Sequence, residues 1–230
     1  MSNVLQHIAF IMDGNGRWAQ KRNLPRIDGH KKGLEQISLI IDGCIQHQIK
    51  YISFFCFSTE NWNRPKKEVQ FLIKLIHNAL SEKNFNWFKE RQIKVQLIGF
   101  EKKMPTIPYK DIKRFCERTN NFHKVCVNFY FNYGSQQEIL YACEQLKKRN
   151  LMVNKSNFEK CLLTHNLPDV DLLIRTSGEE RISNFLLWQI AYAEIIFEKT
   201  LWPDYSIKKL NQNIIQYNKR NRRFGKIKNE

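Results

Sequence analysis

The sequence predicts a single α/β domain built on a mainly parallel sheet flanked by helices. Short unbroken apolar runs, such as residues 8–12, 51–57 and 170–174, read as strands buried on both faces. Stretches with apolar residues at helical spacing alternate with them, as in parallel strands joined by helices. No repeat, low-complexity tract or linker divides the 230 residues, enough for one substantial core.

Composition narrows the class. Hydrophobic residues make up 42% and aromatics 13%, as in a globular chain. No apolar run reaches the ~18 residues of a membrane span, and the N-terminus lacks a signal-peptide pattern. The expectation is a cytoplasmic protein. Cys44, Cys56, Cys116, Cys126, Cys143 and Cys161 are scattered without a C-x-x-C pair, which reads as reduced thiols rather than disulfides or a metal cluster. The formal net charge of +16 suits nucleic acid, an anionic membrane or diphosphate substrates. Six basic residues in 219–228 suit a nonspecific anionic contact.

The first strand, 8–12, stops at Asp13-Gly14-Asn15-Gly16, a turn that needs positive φ or close backbone approach. A helix-compatible stretch begins at Arg17-Trp18. Strand, glycine loop and helix aim N–H groups and a positive helix end at one spot, which suits a phosphate. Asp13 would repel a bare phosphate by roughly 1 kcal/mol or more at ~4 Å. It becomes useful once a divalent cation lies between them. Mg²⁺ takes one or two carboxylates plus substrate phosphate oxygens, and Arg17 shares the anionic charge. The residues therefore point to a Mg²⁺-diphosphate site. Two rivals stand beside it. Gly14-x-Gly16-x-x-Ala19 fits the dinucleotide fingerprint with Glu35 downstream, but Asp13, Arg17 and Trp18 count against it. A plain strand-to-helix turn leaves the Asn, second Gly, Arg and Trp unexplained.

Residues 21–30 contain Pro25 and Gly29 and read as a loop or frayed helix carrying Arg26 and His30. Leu34, Ile37, Ile41, Cys44 and Ile45 predict a helix over 33–48. The second strand, 51–57, ends in a polar run before Pro65, which marks a helix start. Ligands in open α/β sheets bind outside the carboxyl ends of strands, so Ser58, Asn61, Trp62 and Arg64 form a candidate pocket wall. Asn61 or Asn63 also suits a helix cap. Val69, Leu72, Ile73, Ile76 and Leu80 stripe a long helix continuing toward Phe85, Trp87 and Phe88. Residues 94–99 are the third strand, 102–109 a loop, 111–122 a helix and 125–131 the fourth strand. Helices over 138–149 and 157–163 lead to the fifth strand, 170–174. At its end Arg175, Arg181 and neighbouring hydroxyls make a second anion site credible, with salt-bridged loop arginines as the alternative. The apolar stretch 185–194 closes on Glu194, costly to bury unless paired or metal-bound. Residues 195–197 are the sixth strand, 202–204 a turn and 206–223 the closing helix.

Three of these stretches resemble the signatures of the cis-prenyltransferases, the family of undecaprenyl diphosphate synthase. Met12-Asp13-Gly14-Asn15-Gly16-Arg17-Trp18 is similar to the first, followed by an R-x-x-G-H pattern at Arg26 to His30. Phe57-Ser58-Thr59-Glu60-Asn61-Trp62-Asn63-Arg64-Pro65 is similar to the second. Residues 175–194, with Trp202-Pro203-Asp204, are similar to the third. The resemblance runs from His7 to about Gly225. It implies a six-stranded sheet, commonly in a homodimer. It also implies an enzyme that condenses isopentenyl diphosphate onto an allylic diphosphate such as farnesyl diphosphate. Repeated cis additions would give a long-chain polyprenyl diphosphate such as undecaprenyl diphosphate, the lipid carrier precursor for cell-wall synthesis.

The resemblance assigns roles as well. Asp13, Gly14, Asn15, Gly16, Arg17, Trp18, Arg26 and His30 would hold the allylic diphosphate. Ser58, Thr59, Glu60, Trp62 and Arg64 would line the substrate site. Arg175, Arg181 and Ser183 would hold isopentenyl diphosphate, with Ile182 among the substrate-binding residues. Asp13 and Glu194 would position Mg²⁺, with Glu194 from the same or a neighbouring subunit. Asn61 would assist proton removal, although a neutral amide is a poor base and a diphosphate oxygen is the other acceptor. Arg223-Phe224-Gly225 fits a C-terminal R-x-G pattern that reaches a partner's site. The helix after Pro65 would line a greasy tunnel for the growing chain; core packing has the same periodicity. The chain departs from the pattern at Asn132-Tyr133-Gly134-Ser135-Gln136, where relatives carry Asn-Tyr-Gly-Gly-Arg. Phe129-Tyr130-Phe131 is bulkier than usual and would shorten the product if those side chains reach the tunnel.

Three other classes compete: a nicotinamide-dependent oxidoreductase, a nucleic-acid module resting on charge alone, and a catalytically silent partner subunit. No nucleic-acid motif supports the second. Intact Asp13, Asn61, Arg175, Arg181 and Glu194 count against the third. The expectation is a Mg²⁺-dependent homodimeric enzyme without a nucleic-acid partner, making peripheral contact with an anionic membrane.

Overall fold

A sheet whose neighbouring strands are all parallel must bury both faces, and the apolar runs supply both. The computed structural model describes residues 4–220. Its strands are β1 (His7–Ile11), β2 (Tyr51–Ser58), β3 (Ile93–Ile98), β4 (Val125–Tyr133), β5 (Leu172–Arg175) and β6 (Glu194–Phe197). They form one sheet in the order β3-β4-β2-β1-β5-β6, parallel at every pairing. On one face Ile8, Phe10, Phe54, Phe129, Phe131 and Ile174 belong to the main core. Helices α2 (Arg26–Gln46), α3 (Lys66–Ala79), α5 (Thr106–Arg118) and α8 (Ile207–Asn218) contribute the rest of it. Phe10, Phe54 and Phe129 stack across three strands with centroids 5.3 and 5.9 Å apart. On the other face Ala9, Ile11, Tyr130 and Leu173 pack against Phe185, Leu186 and Ile190. Helices α6 (Ser135–Lys148) and α7 (Lys155–Glu159) join through a small cluster of Ala142, Leu146, Cys161 and Leu162 with Trp188.

Several boundaries differ from the predicted ones. The glycine loop opens a helix of only six residues, α1 (Asn15–Gln20). Helix α2 starts at Arg26 rather than near residue 33, because Pro25 precedes the first turn and Gly29 continues it. A Cβ on Gly29 would lie 1.9 Å from the Asn15 carbonyl oxygen, so this glycine serves close packing rather than a break. The long helix predicted to run from 69 toward 88 breaks after Ala79. The Asn84 amide donates to the carbonyls of Asn78 and Ala79 at 3.0 and 3.1 Å, satisfying the helix end. A short turn, Glu82–Asn84, then leads into α4 (Phe85–Glu90). Helix α5 begins five residues earlier than predicted, directly after Pro105. All six cysteines are free thiols.

His7, at the start of β1, is 1% exposed. Its Nδ1 donates to the Pro168 carbonyl at 2.9 Å, and its Nε2 accepts from the Ser53 hydroxyl at 2.8 Å. Burial lowers its pKa to about 4, outweighing the opposing pull of the Pro168 carbonyl and Asp171. The unfolded chain, titrating near 6.5, therefore binds more protons between the two values, and stability falls as pH drops through that window. The expected loss between pH ~7.5 and ~5 is about 2 kcal/mol. Urea denaturation at the two pH values should show this loss, and His7→Gln should flatten it; an unchanged slope in the variant would reject the assignment.

Candidate active site

Because the strands are parallel, the carboxyl ends of β1, β2 and β5 come to one place. A cavity of about 340 Å³ opens there. Of the predicted residues, Asp13, Gly14, Asn15, Gly16, Arg26, His30, Ser58, Asn61, Arg64, Arg175, Arg181 and Ser183 line it. Gly14 takes φ 115°, a left-handed turn that favours glycine. The Asp13 carbonyl accepts from the Thr176 hydroxyl at 2.7 Å and from the Trp202 amide at 2.9 Å, which fixes the loop to β5 and to the Trp202–Asp204 turn. Helix α1 is too short to add much dipole. Positive charge at this end comes instead from guanidinium groups.

Those groups are already paired. Arg175, 3% exposed, donates to Asp13 Oδ2 through Nε at 3.0 Å and Nη2 at 2.6 Å. Its Nη1 reaches Ser183 Oγ at 2.8 Å and the Arg181 carbonyl. Arg17 and Arg181 share the Glu179 carboxylate, with Arg17 at 2.8 Å. The hydrogen bond and charge of Arg181 hold Glu179 below the usual carboxylate range. Glu68 gathers Arg64 at 3.2 Å, His30 at 3.6 Å and Arg26 at 3.8 Å. Burial holds His30 below the usual imidazole range; Glu68 opposes that shift, while Arg64 and Arg26 reinforce it. Sequence reasoning missed Glu68 and Glu179 as counter-charges. The spacing Arg64 to Glu68, i to i+4 across a helix start, was the available signal for the first.

Among the described residues, two buried polar atoms at this end, Asn15 Oδ1 and Ser177 Oγ, have no hydrogen-bond partner, and His30 Nε2 has only the 3.6 Å approach of Glu68. Such atoms are costly unless a ligand or water satisfies them. An apolar cleft of about 70 Å³ between α2 and α3 adjoins this cavity, sharing Met12, Asn15, His30, Cys56 and Leu72 with its lining, and Leu34, Ile37, Ile76, Phe131 and Trp202 also line it. Phe131 stacks on Phe57 with centroids 4.8 Å apart. Tyr130 points to the opposite face of the sheet.

Other predicted residues lie outside the cavity lining. The Trp18 indole donates to Asp204 at 2.7 Å, and the Trp62 indole donates to Asn132 at 2.6 Å. Thr59 donates to Glu60, which accepts from Asn184 at 3.1 Å. Ile182 packs with the cluster on the second sheet face. The Asn61 amide oxygen accepts from the Ser58 amide at 3.2 Å, which leaves Nδ2 as its remaining polar group. Glu194 is level with Leu172 and Ile8, toward the other end of the sheet, and pairs with Arg220 at 2.8 Å. Within one chain it does not reach Asp13, because it starts β6 while Asp13 follows the end of β1. Arg223, Phe224 and Gly225 lie outside the described residues.

No three His, Cys, Asp or Glu side chains gather to cage a metal among the described residues. Asp13 alone still fits Mg²⁺. Both Arg175 bonds go to Oδ2, and Oδ1 makes no hydrogen bond or ion pair with the described residues. One carboxylate completed by substrate oxygens is a set Mg²⁺ accepts.

The segment that carries Arg181 and Ser183 is held by a buried carboxylate. Glu138, fully buried, accepts from the Tyr133 hydroxyl at 2.5 Å, the Gln189 amide at 3.0 Å, and the amide and hydroxyl of Thr164 at 3.1 Å each. Ser135, where the resemblance expects glycine, accepts from the Leu187 amide at 2.9 Å. Ser177, Ser183, Asn184 and Leu186 all adopt positive φ, so strain concentrates in this segment.

The family model described as "Putative undecaprenyl diphosphate synthase" matches residues 11–225. The chain belongs to that family. Isoprenyl transferases align with it almost end to end. The isoprenyl transferase of Thermotoga maritima is 42% identical over 231 residues, covering 98% of this chain and 99% of the relative. That of Fusobacterium nucleatum is 43% identical over 228 residues, covering 99% and 98%. A probable undecaprenyl diphosphate synthase from Campylobacter jejuni superposes with a TM-score of 0.83 at 32% identity, covering 96% of this chain and 99% of that one. Lavandulyl diphosphate synthase from Lavandula x intermedia, solved in complex with dimethylallyl diphosphate, superposes at 0.92 with 28% identity, covering 97% and 99%. The predicted six-stranded cis-prenyltransferase fold is therefore the observed one, and the chain is a prenyl-transferring enzyme.

Proposed function

We propose that this prenyltransferase condenses isopentenyl diphosphate onto farnesyl diphosphate in repeated cis additions and releases a long-chain polyprenyl diphosphate such as undecaprenyl diphosphate. The observation that carries this reading is the joining of two unlike cavities. The polar one gathers Arg26, Arg64, Arg175 and Arg181 with unpaired buried acceptors and donors. The apolar cleft adjoins it. An amphipathic substrate with a diphosphate head and an isoprenoid tail matches that pair. Guanidinium groups stabilise the charge that develops as the allylic diphosphate departs. Glu68 and Glu179 give up their arginines to the incoming diphosphates. Asn61 orients the condensing unit through Nδ2, and a diphosphate oxygen accepts the proton. Asp13 would hold Mg²⁺, which neutralises diphosphate charge when bound; Glu194 reaches such a site only from a second copy of the chain.

A second copy finds a short sheet edge at β6, beside exposed Tyr192 and Phe197. No helix among the described residues is long and apolar enough to cross a membrane. Peripheral contact with anionic lipid is supported instead by exposed Leu151, Met152 and Val153, flanked by Lys147, Lys148, Arg149 and Lys155. Sedimentation with phosphatidylglycerol vesicles, lost in Met152→Asp/Val153→Asp, is the expected result; unchanged sedimentation would exclude this loop. The reaction itself is tested by incorporation of labelled isopentenyl diphosphate with farnesyl diphosphate and Mg²⁺, with chelator as control. Absence of product with every allylic starter would refute it.

Phe131 sets the depth of the apolar cleft in this reading. Phe131→Ala removes the ring that lines it against Phe57, and the product should lengthen by one or more isoprene units. Chromatography of the reaction products decides; an unchanged length distribution would move the limit elsewhere.

A further inference from the structure

At the opposite end of the sheet, the amino ends of β2, β3 and β4 frame a second cavity of about 490 Å³. The strand register sets Tyr51 and Lys94 on either side of Cys126, so all three leave the same face of the sheet. Lys50 and Lys124 line the cavity from the residues just before β2 and β4. The backbone beneath them is fully paired. The Lys50 and Tyr51 amides donate to the Gln6 carbonyl at 3.1 and 2.9 Å, the Cys126 amide to the Lys50 carbonyl at 2.8 Å, and the Lys124 amide to the Gln92 carbonyl at 3.1 Å.

Among the described residues, no carboxylate lines this cavity. None of Lys50, Lys94 and Lys124 makes an ion pair among the described residues, whereas Lys31, Lys32, Lys155 and Lys209 do. In the active-site cavity, by contrast, Asp13, Glu68 and Glu179 neutralise the arginines. Three lysines collected on a rigid frame without a counter-charge create a potential that an anion relieves. The rings of Tyr51 and Phe122 and the amides of Asn120 and Asn166 share the lining. Lysine binds phosphate as a point charge, the rings offer a stacking surface, and the volume lies within the range of small-molecule sites.

We propose that this cavity binds a nucleoside di- or triphosphate, with its phosphates on Lys50, Lys94 and Lys124 and its base against Tyr51 and Phe122. The site is separate from the active-site cavity, about 20 Å away along the length of a strand. It does not depend on the substrate assignment made above.

Calorimetric titration of the full chain with ADP, adenosine and inorganic diphosphate tests it. ADP should bind saturably with Kd below ~1 mM; inorganic diphosphate also binds the active-site arginines, so only the part of its binding lost in Lys94→Gln/Lys124→Gln counts here, and that part should be about tenfold weaker than ADP or worse. Lys94→Gln/Lys124→Gln should weaken ADP at least about tenfold while leaving circular dichroism and prenyl transfer unchanged. Arg26→Ala, at the other end of the sheet, should leave ADP affinity within about twofold. Absence of saturable ADP binding, full binding by the lysine variant, or loss in Arg26→Ala would each overturn the site. Equal affinity of ADP and inorganic diphosphate for the binding that Lys94→Gln/Lys124→Gln removes would overturn the nucleotide assignment.

Discussion

Asp13→Ala should lower kcat/KM for prenyl transfer by about 10³-fold or more, the scale of removing a preorganised charge from a reacting centre. Two effects add. The carboxylate that would hold Mg²⁺ is lost, and Arg175, 3% exposed, loses the partner that fixes it. An unpaired buried guanidinium then turns toward whatever acceptor remains, and the isopentenyl diphosphate it should position binds out of line. Asp13→Asn separates the two effects. It keeps the shape of the side chain but neutralises neither Arg175 nor a metal, so it should fall nearly as far. Steady-state rates with thermal melts of both variants provide the check. A loss smaller than about tenfold in Asp13→Ala, with the fold intact, would remove Asp13 from the centre of the mechanism.

The largest stability effect is expected at Glu138. Glu138→Ala leaves the Tyr133 hydroxyl and the Thr164 amide and hydroxyl without their acceptor in a dry interior, and leaves the Gln189 amide only its bond to Thr164 Oγ1 at 2.7 Å. Each orphaned donor costs roughly 1–3 kcal/mol before the site relaxes, and about 4 kcal/mol in total is expected. That is a large fraction of the stability of an ordinary domain and corresponds to a fall in melting temperature of about 10 °C for a chain of this size. Glu138→Gln retains one acceptor and should cost roughly half as much. Because Gln189 belongs to the strained segment after Arg181 and Ser183, KM for isopentenyl diphosphate should rise in the milder variant as well. A melting temperature within about 2 °C of wild type in Glu138→Ala would show that the network is satisfied by other means.

The strands were legible where burial on both faces demands unbroken apolar runs, as in β1, β2 and β5, whereas β3 is interrupted by Lys94 and Gln96 and alternates instead. The site was legible because strand ends carry its polar residues: Asp13 after β1, Ser58 and Asn61 after β2, Arg175 at the end of β5. Helix starts were read late at Arg26 and Thr106, since Pro25, Gly29 and Pro105 suggest breaks when only local propensity is weighed. Gly29 in fact exists to admit the Asn15 carbonyl, a contact between elements that no local rule contains. The resemblance places Glu194 at the metal from the same or a neighbouring subunit, and the sequence does not choose between them; within one chain β6 carries it to the far end of the sheet from Asp13, a distance set by strand register.

The sequence by itself determined the fold class, the family and the chemical character of the site, because periodicity, strand-end residues and three long motifs are properties of the chain read in order. Only the tertiary structure decided which charges meet. Asp13 faces Arg175 across 162 residues, Arg17 and Arg181 share Glu179, and Glu68 gathers Arg26, His30 and Arg64. Phe131 lines the apolar cleft while Tyr130 turns away from it, and the same packing leaves three lysines at the other end without an ion pair among the described residues. Pairings of this kind depend on distances between elements far apart in the chain. Those distances are set by how the helices seat on the sheet, and no local pattern encodes them.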